Sequence, residues 1–455
     1  MQISKKSCNI FNDIFDKYTF DCNMGNGLMR FFEMSGDGSP SFPITKIQQM
    51  KNKVIACTLL LGVIGCNEKE DVARYTSWQS SQTEEKIIRK SLEDFGQAFP
   101  EVAYQFQPIP GNYTEKLQLM LGTGKAPDLF WLKGDTSPAY MSFDVLEPLD
   151  PFLDEDEGFE LNDFFPVFRD AFKYKGKNYG VAKDFNAYVL FYNKKMFADA
   201  GLDTVPTTWQ ELYDFSKKLT KDTDGDGKVD QYGFVIEPSI DIVMPFAYQN
   251  GGEIVSDDGE IKIGEPEFIE ATEFMMSMYR DGIATNPPDV GAGWMGDVFS
   301  RKQCAMTISG AWLIPYLRDN APDMEYGVVE LPRGKKRATL AFSVAMVIPK
   351  QSKHKEDAWK LLSYLNGKEG MSTWTEGGIA LPTRKSVAEQ NGFYNDSIYN
   401  VFMKSVDYAK LYKVNMQERW YDESQAAMQG IFYKKKDIAK TLKELAANLE
   451  KYKLD

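Results

Sequence analysis

Short apolar segments alternate with longer amphipathic segments through most of this chain, and this alternation is the feature that most constrains its fold. "PDLFWL" (127–132) and "TLAFSVAMVIP" (339–349) have strand character. "PTTWQELYDFSKKL" (206–219) has a helical pattern, and Thr208 and Glu211 stand at the spacing of a capping box. Strands that alternate with helices are typical of an α/β fold with a largely parallel sheet. We therefore predict an α/β protein.

A segment with the features of an export signal begins at Met50, far from the start of the chain. Basic residues precede an apolar run that ends at Gly65, and Cys66 follows. A basic start, an apolar core and a small residue before the cleavage site are the parts of a secretory signal. The run is about a dozen residues long, whereas a membrane-spanning helix needs about 20. We assign 50–66 to a signal, and 1–49 to a non-native extension outside the fold.

The end of this apolar run has the composition of a lipidation signal. Val63-Ile64-Gly65-Cys66 resembles the lipobox of bacterial lipoproteins, and a charged segment follows it. The resemblance implies that Cys66 receives a diacylglyceryl group and becomes the N-terminus of a protein anchored on the extracellular or periplasmic face of the membrane. The alternative is a buried strand or helix that happens to end in cysteine.

Charge and side-chain chemistry exclude several classes of function. The net charge is −13, so most of the surface would repel a nucleic acid. The one histidine, His354, stands between lysines, where we expect a solvated surface residue rather than the base of a Ser-His-Asp triad. A single histidine also excludes a zinc site with two histidines. Beyond Cys66 the only cysteine is Cys304, so no internal disulfide can form there. The chain beyond Cys66 is long enough for two lobes with separate cores.

Four separated stretches match one family pattern in the correct order. They are "GTGKAPDLFWL" (122–132), "GKNYGVAKDFNAYVLFYNKKMFADAGLDTVPTTWQEL" (176–212), "CAMTISGAW" (304–312) and "EDAWKLLSYLNGKEGMSTWTEGGIALPTRKS" (356–386). Together they resemble the extracellular solute-binding proteins of sugar ABC importers. The resemblance implies a two-lobed periplasmic-binding-protein-like clamp that is not an enzyme. It also implies a carbohydrate ligand in the cleft, hinged closure, a monomer, and delivery to the permease subunits of an ABC transporter.

In proteins of this family the chain crosses between the lobes more than once. By position, the first crossing is expected near Asp184–Tyr188 and the second near Ala341–Ala345. Both lobes are then discontinuous in sequence. The predicted boundaries are 67–184 plus 342–390 for the first lobe and 187–340 plus 391–455 for the second.

A sugar site combines aromatic rings, which pack on the C–H face of the sugar, with polar groups that bond its hydroxyls. Trp131 ends a predicted strand, where open α/β sheets bind their ligands. The resemblance implies cleft positions for Trp312 and Trp420, and polar contacts at the crossing strand. The segment from Trp78 to Ser81 closes the first strand and is expected at the cleft mouth. The candidate binding residues are Trp78, Ser80, Ser81, Trp131, Asp184, Asn186, Glu237, Trp312 and Trp420.

Each tryptophan also has a structural alternative, because tryptophan is on average a highly buried residue. Trp209 and Trp359 lie at the spacing of an apolar helix face, so we assign both to the core. Trp131 and Trp312 are the two for which position and resemblance agree on a role in the cleft.

The segment "KDTDGDGKVDQYGF" resembles a calcium-binding loop of the EF-hand type. Its acidic residues stand at positions 1, 3, 5 and 9, and Gly227 stands at position 6, where the sharp turn is needed. The predicted calcium ligands are Asp222, Asp224, Asp226 and Asp230, with the main-chain carbonyl of Lys228. Position 12 is Gly233 rather than glutamate, although Gln231 could supply an oxygen. The alternative is an acidic, solvated turn.

Three functions compete for this sequence. The first is a binding protein that transfers a carbohydrate to a membrane importer. The second is an extracellular glycoside hydrolase or lyase, which needs two carboxyl groups about 5–10 Å apart across one bond. The third is a calcium-dependent adhesin without a closing cleft. No stretch of this chain resembles a hydrolase, which favours the binding protein.

Overall fold

The computed structural model describes residues 72–79, 81–256, 259–417 and 419–454. These residues belong to one compact unit, Val72–Asp455. Within them, the strands form a six-stranded sheet, a five-stranded sheet and a two-stranded hairpin. The α/β prediction is confirmed.

The strands are numbered in chain order. They are β1 (Ala73–Thr76), β2 (Tyr104–Phe106), β3 (Leu129–Lys133), β4 (Lys173–Tyr174), β5 (Lys177–Asn178), β6 (Val181–Ala187), β7 (Val189–Asn193), β8 (Tyr232–Val235), β9 (Ala284–Thr285), β10 (Cys304–Ser309), β11 (Tyr326–Val329), β12 (Thr339–Val347) and β13 (Ala409–Leu411). The first sheet has the order β13-β12-β3-β1-β2, with β6 also paired to β12, and the second has the order β11-β7-β10-β8-β9.

The α-helices are numbered in the same way. They are α1 (Gln82–Ala98), α2 (Tyr113–Gly122), α3 (Ser137–Ser142), α4 (Asp150–Glu155), α5 (Pro166–Arg169), α6 (Lys194–Asp199), α7 (Trp209–Leu219), α8 (Ile240–Asn250), α9 (Pro266–Arg280), α10 (Met295–Ser300), α11 (Leu313–Asn320), α12 (Lys355–Leu365), α13 (Lys368–Thr375), α14 (Lys385–Gln390), α15 (Tyr399–Ser405), α16 (Arg419–Lys434) and α17 (Ile438–Leu449). At the start of α7, Thr208 and Glu211 form the predicted capping box.

Both sheets are mixed, so the prediction of a largely parallel sheet is wrong. β1 runs parallel to β2 and β3, as the alternating strand–helix pattern requires. However, β12 runs antiparallel to β3 and β6, and β7 runs antiparallel to β10 and β11. β7 and β12 are the strands by which the chain enters each sheet from the junction. β7 runs opposite to both of its neighbours, whereas β12 runs opposite to β3 and β6 but parallel to β13.

The chain passes from the first sheet to the second at Tyr188, between β6 and β7, and this lies within the range expected for the first crossing. It returns between β11 and β12, ahead of Ala341–Ala345, which lies inside β12. In addition, β13 pairs with β12 of the first sheet, although the sequence assigns 391–455 to the second lobe. The lobe boundaries themselves stay a prediction.

Strand β3 explains how the first sheet is buried on both faces. Leu129 and Trp131 pack with Ile88 and Leu92 of α1 on one face, whereas Phe130 and Leu132 belong to a second apolar cluster on the other face. Successive side chains of a strand point to opposite faces. A run of apolar residues without polar interruption therefore requires a cover on each side.

Among the described helices, none combines the length and apolar composition needed to cross a membrane. The predicted signal, Cys66 and Ser80 lie outside the described residues. Lipidation of Cys66 and a contact of Ser80 with a ligand therefore stay predictions.

Candidate functional site

Polar side chains from both sheets meet where the chain crosses between them. Asp135 follows β3 of the first sheet, and Asp241 lies in the first turn of α8, which follows β8 of the second sheet. Together with Tyr188, Tyr412 and Tyr421 they form a group that we call the junction cluster. Burial raises the pKa of the Tyr412 phenol, and the charges of Asp241 and Asp135 raise this pKa further. Carboxylates from opposite lobes therefore act on one buried hydroxyl.

Asp241 is held by neutral donors. The Tyr188 hydroxyl donates a hydrogen bond to Asp241 Oδ2 over 3.1 Å, and the Ser239 hydroxyl donates to Oδ1. Gln425 Nε2 in turn donates to Ser239 Oγ over 2.7 Å. Because Tyr188 is the residue at which the chain crosses, this bond ties the crossing to the start of α8.

Asp135 and Glu237 are carboxyl groups with raised pKa values. For Asp135, burial raises the pKa and Asp241 raises it further, while Lys133 and the backbone N–H of Thr136 oppose the shift. For Glu237, burial raises the pKa, the N–H of Met295 lowers it, and Asp241 raises it. That N–H lies 3.1 Å from Glu237 Oε1. Glu237 was a predicted site residue, and the structure brings it within electrostatic reach of the junction cluster.

Trp312 is partly buried and lies beside the junction cluster. Its ring meets Tyr188 at a centroid distance of 6.1 Å and Phe342 at 5.8 Å, both edge-on. Phe342 also contacts Tyr188 at 4.8 Å and Tyr412 at 5.5 Å. A Cβ atom on Gly310 would lie 2.2 Å from the Trp312 ring, so only glycine leaves room for the ring to lie across this turn. The structure thus combines a partly exposed indole with the carboxylates of the junction cluster.

Asn186, another predicted site residue, connects strand β6 to the segments that contain Ile379 and Ala311. Its Nδ2 donates to the Ile379 carbonyl over 3.2 Å, and its Oδ1 accepts from the N–H of Ala311 over 2.8 Å. Both functional groups of the amide are therefore used within the protein. Asn186 fixes the position of the turn that carries Trp312.

Asp184 was predicted to meet sugar hydroxyls, but the structure uses its carboxylate in contacts within the protein. Its side chain is buried and forms an ion pair with Lys183, and Trp374 Nε1 donates to its Oδ2 over 2.7 Å. Lys183 Nζ lies 3.6 Å from the centroid of the Trp374 ring and 4.2 Å from that of Trp131. Burial lowers the pKa of Lys183, and Asp184 opposes this shift. The Asp184 carboxylate balances a buried cation inside the first lobe.

Trp131 is not an exposed stacking surface, so its predicted role needs correction. Its side chain is 1% exposed, and its Nε1 donates to the Tyr75 hydroxyl over 2.6 Å. Its ring packs edge-on against Trp78 at 4.7 Å and Trp374 at 5.5 Å. The reason is the double burial of β3: the ring lies on the face that α1 covers.

Trp420 is likewise 1% exposed, and its ring packs against Tyr412 at 6.2 Å. It lies inside helix α16 on the buried side, so its predicted contact with a sugar is also corrected. Its neighbour Tyr421 is the residue of this segment that belongs to the junction cluster. Burial raises the pKa of the Tyr421 phenol, and the charge of Asp241 raises it further.

At the end of the first strand, Trp78 is a described residue that stays a candidate. Trp78 is partly buried, and Lys133 Nζ lies 5.7 Å from its ring centroid. Ser81 instead caps helix α1: its hydroxyl accepts from the N–H of Glu84 over 3.2 Å, and the Glu84 carboxylate accepts from the N–H of Ser81. The Ser81 hydroxyl is thus used in the cap, and a contact of this exposed residue with a ligand stays a prediction.

Sequence reasoning missed most of the junction cluster. Asp135 follows the end of the strand that contains Trp131, so the rule that selected Trp131 could have selected it as well. Tyr188 lies inside the segment expected to cross between the lobes, so the position that selected Asp184 and Asn186 could have selected it too. No local signal marks Tyr412 or Tyr421, because both reach the junction from segments that are distant in sequence.

The predicted calcium loop brings together three of its four acidic residues. Oxygen atoms of Asp222, Asp224 and Asp226 lie within 4.8 Å of one another, and all three residues are exposed. The N–H groups of Gly225 and Gly227 donate to Asp222 over 2.7 and 2.8 Å. These bonds fold the loop around the carboxylates, whose oxygen atoms are the ligand type that calcium prefers.

The rest of the loop matches the calcium prediction less closely. Asp230 Oδ2 accepts from the N–H and the hydroxyl of Thr223, each over 2.8 Å. Lys228 Nζ lies 3.4 Å from Asp226 Oδ2. The donor set therefore fits calcium in part, with three clustered carboxylates as the core of the site.

Comparison with known proteins identifies the family. Residues 90–400 match the sequence profile of the bacterial extracellular solute-binding proteins. A binding protein of Brucella abortus is 27% identical over 391 residues, which cover 83% of this chain and 91% of the relative. The sn-glycerol-3-phosphate-binding periplasmic protein of Escherichia coli is 24% identical over 369 residues, which cover 74% of this chain and 81% of the relative.

A solved structure has the same fold. The ABC substrate-binding protein of Listeria monocytogenes in complex with cycloalternan is 24% identical and has a TM-score of 0.74, covering 83% of this chain and 98% of the other. Because the family profile spans most of the chain that the structure describes, the chain belongs to the bacterial extracellular solute-binding proteins.

Proposed function

We propose that this protein captures a carbohydrate between its two lobes and delivers it to the permease of an ABC importer. The observation that carries the proposal is the arrangement of a partly exposed Trp312 ring beside the carboxylates of Asp135 and Asp241. A sugar ring can pack its C–H face on the indole, and its hydroxyls can donate to the carboxylates. Membership of the family and the cycloalternan complex of a structurally similar protein support this assignment.

Closure follows from the placement of the two carboxylates. Asp135 belongs to the first lobe and Asp241 to the second, so a ligand that bonds both contacts the two lobes at once. A ligand shifts a conformational equilibrium by the difference between its affinities for the two states. Contacts available only when the lobes are together therefore favour the closed state.

A panel of oligosaccharides tests the proposal. A ligand that binds only the native state raises the melting temperature, so at least one sugar should produce a concentration-dependent shift. The same samples should contain intact sugar after prolonged incubation, because members of this family bind rather than cleave. Cleavage products would favour the glycoside hydrolase or lyase, and the absence of any shift across the panel would contradict sugar binding.

We also propose that the protein acts as a monomer anchored to the membrane through a lipid on Cys66, on the extracellular or periplasmic face. The sequence before Cys66 and the extracellular character of the family support this location. Protein purified from its native membrane should have the intact mass of a chain that begins at Cys66 and carries acyl groups. A chain that begins at Met1 without modification would contradict the anchor.

We further propose that calcium binds the loop of Asp222, Asp224 and Asp226 and stabilises it. Three carboxylates in one exposed loop repel one another, and a divalent cation would remove this repulsion. Calcium should raise the melting temperature of the wild type above its value in a chelator, and Asp226→Ala should abolish the difference. Asp319→Ala, which removes an exposed carboxylate on helix α11, serves as the control. Equal melting of the wild type in calcium and in chelator would leave the loop as an acidic turn.

A further inference from the structure

The charges around the junction cluster are predominantly negative. Asp241 acts electrostatically on both Asp135 and Glu237. Their bonds to described residues come from neutral donors: two hydroxyls for Asp241 and backbone N–H groups for Asp135 and Glu237. Within the described ranges, no lysine or arginine forms an ion pair with any of the three carboxylates.

The nearby lysines do not neutralise the negative charge of the junction cluster. Lys133 lowers the pKa of Asp135 through its charge, but its side chain is exposed and lies against the Trp78 ring. Lys183 is buried and paired with Asp184 inside the first lobe. A ligand at the junction therefore meets more negative than positive charge.

Tyr412 provides an independent sign that a ligand group belongs here. The residue is 8% exposed, and its hydroxyl has no hydrogen-bond partner among the described residues. The Tyr412 ring packs on Phe342, which also contacts Tyr188, so Tyr412 lies at the junction. The charges of Asp241 and Asp135 act on its hydroxyl. A buried hydroxyl without a partner is unfavourable, and a hydroxyl of a bound molecule would satisfy it.

We propose that the junction cluster makes the protein selective for sugars without negative charge, with Asp135 and Asp241 as the residues that exclude acidic sugars. This inference rests on the proposed carbohydrate function and names the ligand class of the same site. Tyr412 and the carboxylates offer one donor and several acceptors, which suit the hydroxyls of an uncharged sugar.

An acidic ligand would face two costs at this site. A carboxylate or phosphate loses its hydration on entry and needs a cation or several donors in return. Here it would instead lie near Asp135 and Asp241, and like charges in a site of low dielectric repel strongly. Acidic ligands do occur among the relatives, because the Escherichia coli protein is named for the binding of sn-glycerol 3-phosphate.

The experiment compares uncharged and acidic sugars by calorimetry at low salt. The uncharged probes are di- and trisaccharides of glucose, galactose, mannose and xylose. The acidic probes are trigalacturonate, aldotriouronic acid and maltose 6-phosphate. The uncharged sugar that binds best should bind at least tenfold more tightly than any acidic probe. The difference should narrow only slightly as the salt concentration rises, because salt screens charges in a buried site much less than exposed charges.

Variants assign the effect to its residues. Asp241→Asn and Asp135→Asn keep the shape of the side chain and remove its charge, so each should improve the affinity for acidic probes about tenfold relative to uncharged ones. Asp199→Asn, which removes a charge from an exposed ion pair on α6, should leave this ratio unchanged. The melting temperature of each ligand-free variant verifies that it folds. The comparison of uncharged and acidic probes on the wild type tests the selectivity even if a variant fails to fold.

The outcomes separate the two proposals. If acidic probes bind as tightly as uncharged sugars, or if the two variants leave the ratio unchanged, the selectivity is overturned while sugar binding stands. If no sugar of either kind binds, the proposed function is overturned and the selectivity with it.

Discussion

Replacing Trp131 with alanine should lower the free energy of unfolding of the ligand-free protein by about 3–5 kcal/mol, the range for deletion of a large buried aromatic side chain. The 1% exposure of the side chain means that the surrounding atoms would line a cavity. The substitution would also remove the donor that the buried Tyr75 hydroxyl accepts from, and one of the two rings that flank Lys183. Chemical denaturation of the ligand-free protein measures this loss.

Trp131→Phe serves as a matched control. It retains an aromatic ring between Trp78 and Trp374 but loses the Nε1 donor, so its loss of stability should be smaller than that of Trp131→Ala. If Trp131→Ala changed the free energy of unfolding by less than about 1 kcal/mol, the assignment of this residue to the core would be wrong. Weaker sugar binding without a loss of stability would return Trp131 to the role expected from the sequence.

Replacing Trp312 with alanine should weaken sugar binding about thirtyfold and leave the ligand-free protein nearly as stable as the wild type. Truncation of an aromatic residue at the centre of a binding site commonly costs about 2 kcal/mol or more, and about 1.4 kcal/mol corresponds to a factor of ten. The fold should survive because this side chain is partly exposed, so water can fill the space that the ring leaves. Calorimetry with the best ligand of the sugar panel measures the affinity.

Trp209→Ala provides the contrast to Trp312→Ala. Trp209 is also partly buried, but its ring stacks on Phe274 at 4.7 Å and its Nε1 donates to Gln249 over 2.6 Å, so its truncation removes contacts within the helices of the second lobe. Its truncation should reduce stability and change the affinity little. The fluorescence change on sugar binding should be reduced in Trp312→Ala and retained in Trp209→Ala. A large loss of stability in ligand-free Trp312→Ala would place this ring in the core.

Local sequence patterns predicted the secondary structure of this chain well. The capping box at Thr208 and Glu211 starts helix α7 as expected, because its two reciprocal bonds involve residues three apart and need no other part of the chain. Trp359, assigned to the core from its position on an apolar helix face, is 6% exposed and stacks on Phe152. The crossing at Tyr188 also agreed with its expected range, and the order of the four family stretches identified the two-lobed fold.

The candidate site was predicted only in part, and Trp131 and Trp312 show why. Both follow or end an apolar strand, and their local signals are nearly the same. Trp131 is buried because α1 covers that face of β3, whereas Trp312 stays partly exposed because it follows the glycine turn beside the crossing. Ser81 and Asp184 were similarly chosen because they are polar. The structure uses Ser81 in a helix cap and Asp184 in a buried ion pair.

By itself, the sequence determined the fold class, the alternation of strands and helices, and the chemical types available at the strand ends, because these depend on periodicity and on neighbours within a few residues. Only the tertiary structure decided that Asp135, Asp241 and Tyr412 meet at one place. These residues come from segments that are far apart along the chain. The pairing of β12 with β3 and β13 brings Asp135 and Tyr412 to one sheet, and the bond from Tyr188, which follows β6, holds Asp241 beside them. Burial and charge at a site are sums over all the segments that surround it, and no single segment contains that information.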